Sequence, residues 1–143
     1  MQKLATFLSL AAGVALVLVG GVASAAPAAP AKATVTFKMV EWDILPTTST
    51  KAVPGRVTFV VRNSGTITHE FVVLKTAKAA GNLAPSGAAE APETGAAGEI
   101  GEVKPGTVKR LTLSLARGHY SLVCNLKGHY NNGQFVDFYV RTP

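Results

Sequence analysis

Along most of this chain, apolar side chains recur at every second position in short runs, and most runs are bounded by glycine, proline or asparagine. No feature constrains the fold more. Thr34 to Trp42 sets Val35, Phe37 and Met39 on one face, and Val108 to Leu115 does the same with Leu111, Leu113 and Leu115. A period of two describes a strand with one buried face, since successive side chains of a strand point to opposite sides. Val57 to Arg62, His119 to Cys124 and Phe135 to Val140 read as further strands, as does His69 to Lys75, whose run Phe71, Val72, Val73, Leu74 is expected between two layers. Val53-Pro54-Gly55-Arg56, Asn63-Ser64-Gly65, Lys104-Pro105-Gly106-Thr107 and Ala116-Arg117-Gly118 supply the reversals. With no convincing long amphipathic helix, the chain is expected to form an all-β, antiparallel sandwich. Ile44 to Ala52, with Pro46 and a threonine-serine run, is left open between an edge strand and an irregular crossing.

The N-terminus is of another kind. Met1-Gln2-Lys3 precedes an uncharged run from Leu4 to Val22, and Ala23-Ser24-Ala25 matches the small-residue pattern of a cleavage site. Residues 1–25 are therefore expected to be a secretory signal peptide removed after Ala25, the alternative being an uncleaved membrane anchor. Residues 26–33 read as a flexible alanine-proline leader, and 34–143 as one domain with a single core. Of the +6 net charge, loss of Lys3 leaves +5. Lysines and arginines are scattered without a basic run, which favours an ordinary solvated surface over a nucleic-acid or lipid site.

In residues 77–98, alanine, glycine and proline make up 15 of 22 residues. Such composition buries too little surface to offset its ordering entropy, so a long surface loop is expected, with a helical turn near Ala77 to Ala80. The acids Glu90, Glu93, Glu99 and Glu102 at its far end read as solvated charge.

The chain has one cysteine. An exported protein meets oxidising conditions, where cysteines tend to pair, and Cys124 has no internal partner. An intermolecular bridge, a reactive thiol, an inert buried residue and a metal ligand are the choices. Cys124-Asn125-Leu126-Lys127-Gly128-His129-Tyr130-Asn131-Asn132-Gly133-Gln134 favours the ligand, with a histidine five residues on and His69 as the candidate from elsewhere. One thiolate with two imidazoles suits copper. His119, one residue off the Tyr120-Leu122-Cys124 face, is expected to be a surface histidine pointing away from the metal, and Met39 to be core packing.

Gly118-x-Tyr120-x-Leu122-x-Cys124, the gap to Gly128-His129, the glycine before the last strand, and Asn63-x-Gly65 leading into His69-Glu70-Phe71 together resemble the cupredoxin family of blue-copper proteins. The resemblance implies a Greek-key sandwich holding one copper ion at one end, with His69, Cys124 and His129 as ligands. Many members have methionine where Gln134 stands. A stellacyanin-like axial glutamine is implied, whose harder oxygen lowers the reduction potential. Many relatives have asparagine at the position of Glu70, which puts the usual hydrogen bond to the cysteine sulfur in question. The implied function is single-electron transfer between redox protein partners in the periplasm or an equivalent exported setting, by a monomer that is no enzyme and has no nucleic-acid or small-molecule partner. Copper storage, delivery or resistance is the alternative. Gly128, Tyr130, Asn131 and Asn132 would surround the exposed edge of His129, with Lys127 biasing the surface toward acidic partners.

Overall fold

The described residues form nine strands: β1 Ala31–Val40, β2 Asp43–Pro46, β3 Lys51–Ala52, β4 Gly55–Asn63, β5 His69–Lys75, β6 Ala96–Val103, β7 Val108–Leu115, β8 Gly118–Val123 and β9 Phe135–Val140. This computed structural model describes residues 31–142. The expected signal peptide and residues 26–30 of the leader lie outside them. Ala31–Ala33, expected to close the leader, instead open β1.

Two sheets pack face to face, one in the order β2-β1-β4-β7 and the other β3-β9-β8-β5-β6. Most neighbours are antiparallel, but β1 with β4 and β3 with β9 run parallel, so the sheets are mixed. Residues 43–52 explain this. They form the edge strand β2 on β1 and then cross to pair with β9, and that excursion lets the chain return as β4 on the other side of β1 in the same direction.

The core is where the two inner faces meet. Phe37, Phe59, Phe71 and Phe138 come from β1, β4, β5 and β9, are fully buried, and stand with ring centroids 5.2 to 6.3 Å apart. These tilted and edge-on contacts are the geometry aromatic quadrupoles favour. Met39 and Val35 fill in beside them.

Residues 77–98 are not all surface. Ala80, Leu83 and Ala91 are buried against Val72, Leu74, Val123 and Tyr130, which gives the outer face of the second sheet a small core of its own. The helical turn falls at Ala80–Asn82. The segment's last three residues belong to β6, a strand absent from the sequence reading. Ala-Ala-Gly-Glu-Ile-Gly-Glu-Val has almost no apolar alternation, and its conformation comes from pairing with β5, where Phe71 faces Ile100 and Val72 faces Glu99.

A candidate metal centre

Both histidines and the cysteine named from the sequence arrive at one end of the sandwich. Cys124 follows β8, and its N–H donates to the Gln134 carbonyl at 3.0 Å, closing the ten-residue loop at its neck. Inside the loop, Tyr130–Asn132 makes a single 3-10 turn that Gly133 ends at φ 100°, a left-handed conformation suited to glycine. His129 is thereby turned back over Cys124. His69, at the start of β5, approaches from the neighbouring strand.

The donor atoms converge closely. His69 Nδ1 lies 3.4 Å from His129 Nδ1, which lies 3.2 Å from Cys124 Sγ. The Gln134 amide spans the two rings, with Nε2 3.0 Å from His69 Nδ1 and Oε1 3.0 Å from His129 Nδ1. His69, Cys124 and Gln134 are fully buried, and His129 is half-buried. Gln134 Nε2 also donates to the Val40 carbonyl at 2.7 Å, which fixes which end of the amide is nitrogen and leaves Oε1 facing the cluster.

This bonding assigns the tautomers of the metal-free protein. His69 Nδ1 accepts from the amide, so its proton sits on Nε2, which is buried without a partner; His129 Nδ1 carries its proton toward Oε1. Sulfur and both Nδ1 atoms nevertheless converge on one point, where a metal ion that displaced the His129 Nδ1 proton would meet a lone pair from each. Spacings of 3.2 to 3.4 Å between donors suit bonds of about 2.0 to 2.3 Å to a single ion.

The electrostatics suit His69 to that use, while the Cys124 thiol holds its proton more tightly than an exposed one and would give it up to the cation. Burial pushes the His69 pKa down, assisted by His129, so the ring is neutral and able to ligate; Glu41 and Gln134 oppose the shift. Burial raises the Cys124 thiol, while backbone donors at Glu70 and Leu126 draw it down. The Glu70 N–H donates to Sγ at 3.2 Å. The hydrogen bond to sulfur is therefore present despite the glutamate, because the backbone makes it. The Glu70 side chain faces elsewhere, and burial together with Glu93, Glu99 and Glu90 raises its carboxyl pKa.

Three other expectations change. His119 is not a free surface group: it is half-buried, with Nδ1 2.7 Å from the Thr76 carbonyl and Nε2 2.8 Å from Asp137 Oδ1. Tyr130 does not join a contact surface, since its buried hydroxyl donates to the Ala80 carbonyl and accepts from the Leu83 N–H, tying residues 80–83 to the loop. Glu93 is not merely solvated, because its carboxylate accepts from Asn125 Nδ2, and Asn125 also holds both backbone groups of Ala91.

Glu41 and Trp42, expected to end the first strand, instead form the two-residue turn between β1 and β2, and that turn touches both sides of the site. Glu41 accepts from the N–H groups of Thr66 and Ile67 in the loop before His69. A Cβ at Gly65 would meet the Glu41 carboxylate at 2.6 Å, so a side chain there would push that carboxylate from its place against Thr66 and Ile67. Asn63 pins the same loop by donating to the carbonyls of Ile67 and Val103, each at 2.7 Å. Trp42 stands edge-on to His129 with centroids 5.3 Å apart and has φ 68°, a turn position normally given to glycine. The sequence signal, a two-residue reversal without turn residues, was faint.

No family model matches the chain, and no curated protein matches it. Solved structures do. An auracyanin from Roseiflexus castenholzii is 19% identical over 78% of this chain and 97% of its own, with a TM-score of 0.55. Auracyanin B is 18% identical over 80% of this chain and 91% of its own, at 0.58, and rusticyanin, described as a copper protein, is 17% identical over 76% of each chain, at 0.54. At these identities the likeness is one of fold, a β-sandwich.

Proposed function

We propose that the chain is an exported protein that holds one copper ion and passes single electrons between redox proteins. The observation that carries this reading is the convergence of Cys124 Sγ, His69 Nδ1 and His129 Nδ1 with the Gln134 amide oxygen beside them. A thiolate with two imidazoles is the donor set of blue-copper electron-transfer sites. Copper bound there supplies a one-electron couple. His69, Cys124 and His129 would be its ligands and Gln134 Oε1 the axial group, as the resemblance implies.

The chain's own groups do the rest. The Glu70 N–H stabilises negative charge on sulfur. Strands packed on four phenylalanines hold Cys124 and His69 in place, so the ligands move little when the charge changes. Val40 keeps the amide oxygen turned inward. The half-buried His129 ring, with Trp42 43% exposed and Ile67 37% exposed, offers partners a close approach to the centre. No part of this reading calls for catalysis.

Adding Cu(II) to the purified protein is expected to produce an intense visible sulfur-to-copper charge-transfer band that is absent in Cys124→Ala. A pale solution, or a band that survives Cys124→Ala, would overturn the assignment. Stopped-flow reduction and reoxidation by redox proteins then separates a carrier from a copper store, which would exchange electrons slowly with all of them.

A further inference from the structure

The fold gathers cations that the sequence scatters. In the β2-β1-β4-β7 sheet, Val35, Phe37, Val57 and Phe59 point inward, and the strand register aligns what points outward. Lys32 stands beside Arg56 and then Ser114; Thr34 beside Thr58 and Thr112; Thr36 beside Val60 and Arg110; Lys38 beside Arg62. Five cations thus share one outer face. Asp43, at the turn end of β2, is the single acid at these outward positions.

Two features set this face apart from a merely solvated one. Lys32 with Arg56 and Lys38 with Arg62 are like charges directly opposed across a ladder, an arrangement that costs stability unless an anion lies over it. Among the described residues the only contact between a basic side chain and a carboxylate is His119 with Asp137, in the other sheet, so none of the five forms a salt bridge with an acid of the chain. Between Lys32 and Arg56 lies a shallow depression of about 210 Å³, floored by Thr34, Thr58 and Thr112; the last two share a 2.9 Å hydrogen bond, which leaves one of their two hydroxyl protons to donate to a phosphate oxygen.

We infer that this face docks the protein on a membrane surface rich in anionic phospholipid, with a headgroup phosphate in the Lys32–Arg56 depression. Its breadth fits a surface of many headgroups better than one small ligand: four strands span about 14 Å. The face is a side wall of the sandwich. Docking through it leaves the end that carries His129 and Trp42 open to protein partners.

The test uses the chain from Ala26 onward, which keeps every strand and the whole core, co-sedimented at low salt with vesicles of phosphatidylcholine alone and of phosphatidylcholine with phosphatidylglycerol. Binding is expected to the anionic vesicles only, to fall with added salt, and to weaken about fivefold for each cation replaced in Lys38→Gln, Arg62→Gln and Arg110→Gln combined. Replacing Lys75, Lys78 and Lys104 by glutamine removes the same charge elsewhere and is expected to leave most of the binding. Equal losses in the two triple variants would reduce the effect to net charge and overturn the proposal. So would undiminished binding by the first variant, or tighter binding to duplex DNA than to the vesicles at the same salt. The side chains changed are at the surface and none belongs to the copper cluster, so a failed charge-transfer band would leave this result readable on its own.

Discussion

Gln134 performs two tasks with one amide. Its nitrogen donates to the Val40 carbonyl and thereby orients the group; its oxygen lies 3.0 Å from His129 Nδ1. Replacing it with methionine removes both. The Val40 carbonyl loses a buried donor, which costs the metal-free protein about 1 to 3 kcal/mol. The reduction potential of the copper-loaded protein is expected to rise, because a thioether favours the reduced ion where an amide oxygen favours the oxidised one. Denaturant unfolding and a redox titration read the two effects separately, and an unchanged potential would mean that Gln134 is not axial. Position 134 was legible as a departure from the family pattern. What holds its amide was not, since Val40 is distant in sequence and acts through its backbone.

Among the elements, the β1–β2 turn carries more than its length suggests. Glu41 clamps the loop that delivers His69, and these backbone donors hold its carboxyl near a pKa of about 2 against an ordinary 4.5. A carboxyl with a lowered folded-state pKa contributes stability that is fully present above the unfolded value and lost as pH falls through the folded one. Glu41→Gln is therefore expected to melt below the parent at neutral pH, with the gap closing between pH 4.5 and about 2. Thermal melts across that range check it, and a gap independent of pH would mean that the charge plays no part. β7 and β9 were read to the residue, while β1, read as 34–42, runs 31–40. β6 and the Glu41-Trp42 turn were not, because one takes its shape from β5 and the other holds Trp42 at φ 68° against local preference.

At the scale of the molecule, the candidate site stands on the end of the main core, which Cys124 itself joins. Phe59 sits among Phe37, Phe71 and Phe138, and Phe59→Ala is expected to cost about 3 to 5 kcal/mol, a large share of a typical domain's stability. A lower urea midpoint at unchanged slope is the expected result, and an unchanged midpoint would show that the sandwich closes around the cavity. Two layers, their inward residues and the candidate ligands were legible in the sequence, because side-chain alternation is local and Cys124, His129 and Gln134 share one loop whose pattern resembles a known family. Three things waited for the tertiary structure: the tilt of the Gln134 amide, the clamp on the His69 loop, and the gathering of Lys32, Lys38, Arg56, Arg62 and Arg110 on one wall. Each joins residues far apart in the chain through strand register or backbone carbonyls, and neither leaves a mark in the order of side chains.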